Sequence, residues 1–247
     1  MTTPSWIDLI EIAPEVKALV TCRGEADESP YSGFNPCHYT GDSPARVAAS
    51  RKALADYIGV GEERIILPRQ THSNVCKLID EIPVDDAGLY GVDALVTRMK
   101  RVAIGVSTAD CVPILLVDPR AEVIAAVHAG WRGAVGGIIE NSVEMMLAAG
   151  SDASRIKAAI APCICSGCFE VGEEVAGRFP ESCVIRGLDK PHVDLPLFVK
   201  MTLEKCGLGG ESIAMPVACT RCRPDRYFSA RAIGINSGRN FSMIMLR

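Results

Sequence analysis

No run in this 247-residue chain approaches the roughly 18–20 consecutive apolar side chains that span a bilayer, which argues against a membrane-spanning helix. The opening stretch, MTTPSWIDLIEIAPEV, lacks the basic segment followed by a long apolar one that marks a secretory leader, so a cytoplasmic location is expected. Positive charge is not in surplus. With 26 Lys and Arg against 30 Asp and Glu, the net charge is −4, which removes any bulk attraction for nucleic acid or anionic lipid. A small-molecule partner is expected instead, for a chain acting as a monomer or homodimer. Repeats, low-complexity tracts and long linkers are also missing, so residues 1–247 are expected to form a single domain.

Hydrophobic residues make up 48% and charged residues 23%, an ordinary balance for a chain that buries a real core. Cysteine is plentiful at eleven, an odd number that leaves at least one thiol unpaired in any disulfide scheme. A chain this long folds on its core alone, so the cysteines are read as reduced thiols, some of them buried as small apolar side chains.

Local patterns predict a mixed α/β (α+β) fold in one compact domain, with mixed β-sheets flanked by helices. Residues 24–43 form a long irregular stretch of the kind that often carries binding groups. Asp42 or Ser43 then caps a helix with Pro44 in its first turn, Val47, Leu54 and Ile58 on one face, and Gly59 as its stop. Strands are predicted at 64–67, 94–97, 102–106, 114–117, 123–127 and 156–160, and a last one at 241–246. Asp118-Pro119-Arg120 turns between two of them. Helices are predicted at 134–149 and 195–206. The crowding of strands favours antiparallel pairing over strict β-α-β alternation.

Histidine is scarce: His38, His72, His128 and His192 are all there are. Two of them stand where a strand gives way to a polar, glycine-containing turn, His72 in PRQTHSN and His128 in AAVHAGWRG. Cys111, in STADCVP, precedes another strand. Strand ends hold side chains firmly yet leave them open to solvent, which suits metal ligands. Two imidazoles and a thiolate form a zinc set with one coordination position left for water or substrate. The separations, 39 and 17 positions, match no short motif, and the plainer alternative is two locally satisfied histidines and an inert cysteine.

The words around these residues add to that reading. QTHS, TADCVPILLVDP and AAVHAGWRGAVGGI resemble the three signature segments of the multicopper polyphenol oxidase, or laccase-domain, family. It is also called the peptidoglycan editing factor or purine nucleoside phosphorylase family. Further blocks, TCRGEADESPYSGFN, GDSPARVAASRKAL, GVDALVT, IAPCICSGCFEVGEEV, HVDLP and CTRCRPDRYFSARA, extend the likeness over nearly the whole chain. The resemblance implies one zinc on His72, Cys111 and His128, with copper as the alternative metal. It implies phosphorolysis of adenosine, inosine, guanosine and 5′-methylthioadenosine, with adenosine deamination in several members. Two departures stand out: FNPCHYTGD differs from the family's usual FNLGxHxGD, and Arg231 is followed by Ala232 rather than a second arginine.

For phosphorolysis, Arg231 and Arg132 are the candidates for holding phosphate, since a guanidinium binds two oxygens at once. Asn35 and Gln70 are candidates for the base or ribose, and Glu170 for a general acid. Asp110 is the candidate for orienting a ligand histidine. Each has a bland counterpart: an ion pair for the arginines, turn stabilisation for Asn35 and Gln70, a surface carboxylate for Glu170. His38 is read as a plain loop histidine, with a place at the site rim as the alternative, and His192 as structural; Trp131 is read as a wedge in the turn after the strand, with stacking on a base as the alternative. Cys163, Cys165, Cys168, Cys219 and Cys222 form a second constellation, four of which would suit a structural zinc or an iron–sulfur cluster, although both segments fall in blocks that the resemblance accounts for without a second metal. Other readings of the chain are a copper-dependent polyphenol oxidase, a peptidoglycan-precursor editing hydrolase and a metal-stabilised binding module. Four histidines are too few for the imidazole-rich set of a multicopper enzyme.

Overall fold

The computed structural model describes residues 3–27 and 29–247. Strands β1 (Ile7–Ile10) and β2 (Val16–Thr21) form an amino-terminal hairpin, and helix α1 (Pro44–Ile58) follows the irregular stretch. Then come β3 (Ile65–Ile66), β4 (Cys76–Ile79), β5 (Ala94–Thr97), β6 (Ala103–Thr108), β7 (Val112–Asp118) and β8 (Val123–Ala129). Helices α2 (Trp131–Val135) and α3 (Ile138–Ala148) lead to β9 (Lys157–Ile160) and α4 (Glu173–Ala176). The chain closes with β10 (Val184–Ile185), β11 (His192–Val193), α5 (Leu195–Lys205), β12 (Ile213–Ala214), α6 (Ala230–Ile233) and β13 (Asn240–Leu246).

Two sheets dominate. One runs β1-β2-β13-β6-β3, the other β12-β9-β7-β8-β5-β4, and β10 and β11 form a small third. Antiparallel pairs prevail, as expected, with parallel exceptions at β3–β6, β4–β5 and β9–β12. The sheets stack face to face, and their shared core includes Ile104 from β6, Leu115 from β7, Ile124 from β8 and Ile244 from β13. Alternate residues of β7 and β8, such as Ile114, Leu116 and Val127, face away from that core toward α3 and α5. The outer face of the other sheet packs Leu19, Met243 and Met245 against Leu54 and Ile58 of α1. The order of layers is therefore helix, sheet, sheet, helix. It explains why every residue of β7 and β8 is buried, because a strand covered on both faces has no solvent side to leave polar. Each fully buried Leu or Ile there contributes roughly 1.5–3 kcal/mol.

Gly59 ends α1 in the left-handed conformation, φ 78°, its N–H bonded to the Ala55 carbonyl. The single helix expected at 134–149 is in fact two. Gly137 at φ 92° breaks it, so α2 is a short turn that starts directly behind His128. Among the described residues, no helix is long and apolar enough to cross a membrane.

Candidate metal centre and its cavity

The two sheets meet at one end in a cavity of about 610 Å³, within the roughly 300–1,000 Å³ usual for small-molecule sites. His72 lies on the connection from β3 to β4, and Cys111 on the connection from β6 to β7. Each connection passes from one sheet to the other. His128 is the penultimate residue of β8, which runs two residues further than the sequence suggested.

These three side chains converge. Their ligand atoms lie within 4.8 Å of one another. His72 Nε2 stands 3.6 Å from Cys111 Sγ, and the two imidazole rings are 4.9 Å apart between centroids. A tetrahedral zinc with ordinary Zn–N and Zn–S bonds separates nitrogen from sulfur by about 3.6 Å, so this pair fits such an ion. Gly130 keeps the space open: a Cβ there would come within 2.5 Å of His72 Cδ2 and 3.2 Å of Cys111 Sγ.

Asp93 organises the cluster. Its Oδ1 accepts the His128 Nδ1 proton at 2.7 Å, which turns His128 Nε2 toward the other two ligands. The same carboxylate accepts three consecutive backbone N–H groups, from Thr71 (3.0 Å), His72 (3.0 Å) and Ser73 (2.9 Å). His72 adopts φ 62° at the centre of this nest, a costly conformation for a non-glycine residue that turns successive amides onto one anion. Burial alone would raise the Asp93 carboxyl, but the hydrogen bond from His128 and those backbone donors hold it below its usual range.

Without metal, the cluster carries separated charge. Burial pushes the Cys111 thiol up, yet the neighbouring His128 charge and hydrogen bonds from both histidines bring it down to about 6. Burial opposes charge on His128 as well, but Cys111 and Asp93 lift it to about 9. A cysteine held as thiolate at neutral pH is ready to ligate a cation.

The other sequence candidates separate clearly. Arg231, on α6, lines the cavity, and both terminal nitrogens of its guanidinium donate to the Glu170 carbonyl at 3.1 Å. Gln70 also lines the cavity, but its amide is engaged at both ends, donating to the Ser107 carbonyl at 2.9 Å and accepting the Ser107 N–H at 2.8 Å. It fastens the His72 loop to β6. Asn35, Arg132 and Glu170 are not among the residues lining the cavity. Asn35 is buried and bonded to Thr40, Asp42, the Cys37 N–H and the Arg239 N–H, so its amide closes a loop. Arg132 is exposed and stacks on Trp131, which packs against the core. The exposed Glu170 carboxylate pairs with Lys190.

Asp110 does not orient a histidine. It holds φ 91°, accepts the Thr220 hydroxyl on Oδ1 and the Arg231 N–H on Oδ2, both at 2.7 Å, and so ties α6 to the turn carrying Cys111. His38 stacks edge-on against Tyr39 in a separate depression, and His192 bonds the Ser166 carbonyl.

Two features escaped the sequence reading. One is Asp93. The other is Arg239, which gives the cavity a second guanidinium although Ala232 stands where a second arginine was expected. Arg239 donates to the Ile235, Ser237 and Gly238 carbonyls. Among the described residues, both cavity arginines are bonded to carbonyl and hydroxyl oxygens and neither forms an ion pair.

A family model described as multi-copper polyphenol oxidoreductase laccase matches residues 17–247. A relative named adenosine deaminase RL5, from an unknown prokaryotic organism, is 43% identical over 253 residues, covering 96% of this chain and 97% of the relative. A purine nucleoside phosphorylase of Bacteroides thetaiotaomicron is 34% identical over 247 residues, covering 92% and 90%. The fold is shared with the crystal structure of the hypothetical protein YfiH of Bacillus licheniformis, at a TM-score of 0.92, 25% identity and coverage of 99% and 97%. YlmD of Geobacillus stearothermophilus superposes with a TM-score of 0.87 at 26% identity, covering 99% and 94%.

Proposed function

This chain belongs to the multi-copper polyphenol oxidoreductase laccase family, and within it we propose that the protein is a zinc-dependent purine nucleoside phosphorylase. Relatives at 34–43% identity are named for purine nucleoside phosphorolysis and adenosine deamination, so the chain is an enzyme of that purine-nucleoside type acting on small molecules. The observation that carries the phosphorylase reading is the pair of guanidinium groups, Arg231 and Arg239, on the wall of the cavity that holds His72, Cys111 and His128, neither paired with a carboxylate among the described residues. Uncompensated guanidinium charge in a cleft suits an inorganic phosphate dianion.

His72, Cys111 and His128 would hold the zinc, which with three protein ligands supplies Lewis acidity and one open position. In phosphorolysis a phosphate oxygen bonds to the ribose anomeric carbon while the bond to the purine nitrogen breaks and its electron pair leaves with the base. Arg231 and Arg239 hold the attacking anion against the positive charge that grows on the sugar. Phe169 and Ile164 offer the cavity's apolar surface to the flat base. Asp93 keeps the proton of His128 on Nδ1, so that Nε2 stays available as a ligand.

Adenosine deamination is the second reading, favoured by the name of the 43%-identical relative. It needs a carboxylate free to move a proton at the reacting carbon. Asp93 already accepts four donors and the Asp110 carboxylate two, one on each oxygen, which weighs toward phosphorolysis. A laccase with several copper centres is disfavoured by the histidine inventory, since His38 and His192 stand apart from the cluster.

The test is release of free hypoxanthine from inosine by zinc-loaded protein with and without phosphate, beside Cys111→Ala. Purine release that requires phosphate, and loss of turnover and of the zinc held by His72, Cys111 and His128 in the variant, are expected. Release at the same rate without phosphate overturns the phosphorylase reading. Conversion of adenosine to inosine without phosphate supports the second.

A further inference from the structure

Away from the cavity mouth, Cys165, Cys168, Cys219 and Cys222 bring four sulfur atoms within 4.8 Å of one another. They come from two C-x-x-C turns, CSGC and CTRC, 50 residues apart in the chain. In the first, the Cys168 N–H bonds the Cys165 carbonyl at 3.0 Å, folding both thiols to one side. In the second, the Arg223 N–H bonds the Cys219 carbonyl at 3.1 Å. The turns face each other: Cys168 and Cys222 sulfurs are 3.4 Å apart, and the Cys165 N–H points at Cys219 Sγ at 3.3 Å. Cys163, grouped with these in the sequence, is not a member of the cluster; it is almost wholly buried, and its carbonyl accepts the Thr220 N–H.

We propose that these four cysteines form a second metal site, a closed four-thiolate zinc with a structural role. Four thiolates at ordinary Zn–S bond lengths around one tetrahedral ion stand about 3.8 Å apart, which this cage accommodates, whereas a cluster of several irons spreads its cysteine sulfurs further. An N–H donated to a ligand sulfur and a guanidinium beside it are the companions that an anionic tetrathiolate needs. Cys165 N–H and the Arg221 side chain, which lies near Cys168, supply them. With all four positions filled by protein, the ion has no place for substrate.

Its role is to clamp the cavity wall. Ile164, one residue before Cys165, donates its N–H to the Asp110 carbonyl at 2.9 Å, and Thr220, one residue after Cys219, donates its hydroxyl to the Asp110 carboxylate. Phe169, next to Cys168, lines the cavity. One ion thus joins the two segments that grip the residue beside Cys111.

The test uses the full chain purified under reducing conditions, with Cys111→Ala and a Cys168→Ser/Cys222→Ser double variant. Cys111→Ala is expected to retain one zinc per chain, whose X-ray absorption shows four sulfur neighbours at about 2.3 Å and no nitrogen or oxygen. The double variant is expected to lose one zinc equivalent relative to the unaltered chain. If the double variant does not fold, the absorption measurement still decides, because Cys111→Ala keeps all four cysteines. No zinc in Cys111→Ala, a shell containing nitrogen or oxygen, iron in place of zinc, or a disulfide linking these cysteines in the reduced preparation each overturns the site. The sulfur-only shell does not depend on the cavity reading, since that variant has lost the cavity's own thiolate.

Discussion

Replacing Asp93 with asparagine removes one charge and almost no volume, and the structure dictates where the damage falls. Oδ1 receives His128 Nδ1–H and His72 N–H; Oδ2 receives Thr71 N–H and Ser73 N–H. An amide has one oxygen, so its NH₂ must face one of these pairs. Facing the first, it drives His128 to the tautomer protonated on Nε2, the atom that ligates. Facing the second, it leaves two backbone donors of the His72 loop opposed by a third. Loss of such a partner typically lowers metal affinity 10–100-fold, or about 1.4–2.8 kcal/mol. Two unsatisfied N–H groups destabilise the metal-free fold by about 1–3 kcal/mol each, a fall in Tm of roughly 4–24 °C for a chain of this size. Zinc affinity by competition with a chromophoric chelator, together with thermal unfolding of the metal-free protein, measures both quantities. An Asp93→Asn protein that binds zinc within threefold of the original and unfolds at the same temperature would refute the claim that this carboxylate builds the site.

Gly130→Ala tests space rather than backbone freedom. Gly130 sits at φ −68° and ψ 159°, open to any residue, but its new methyl would meet His72 and Cys111. Metal affinity is expected to drop at least tenfold with far-UV circular dichroism unchanged; unaltered affinity would show that the ligand cage is wider than described. Arg231→Lys keeps the charge but loses the fork. Its KM for phosphate is expected to rise about tenfold with a much smaller change for the nucleoside, and equal rises for both would point to general loosening of the cavity. Asp118→Asn tests pH dependence. The Asp118 carboxylate is buried, and although burial raises it, the backbone donors of Asp152, Ala121 and Arg120 with the Arg155 guanidinium hold it below its usual range. A carboxyl with a depressed folded pKa stabilises the fold above its unfolded value of about 4 and loses that contribution as pH falls through the folded one. The stability gap between Asp118→Asn and the original chain should therefore be wide at neutral pH and narrow in acid, by denaturant titration. A constant gap would mean that the charge is not the source.

Residues whose role depends on local context were legible before the fold was known. The turn Asp118-Pro119-Arg120, the stop at Gly59 and the apolar strands β7 and β8 all follow from short-range chemistry. Asp93 was not legible, because it reaches His128 only through register. Ala94 of β5 lies opposite Val127 of β8, so the residue before the one meets the residue after the other. Arg239 reaches the cavity in the same way, through the pairing of Asn240 on β13 with Thr108 on β6. Glu170 was a reasonable acid by residue type, but the direction of a loop carboxylate is set by its neighbours, here Lys190. The break between α2 and α3 lay in view at Gly136-Gly137, yet the apolar spacing on either side masked it.

The two crossover connections bearing His72 and Cys111 make the stacking of one sheet on the other and the spacing of the ligands a single mechanical coordinate. A shift of either layer by a fraction of a bond length reaches the cation as a change in bite. A cation held there rivets the layers in return, so the interior packing of Ile104, Leu115 and Ile124 becomes part of how tightly the metal is gripped.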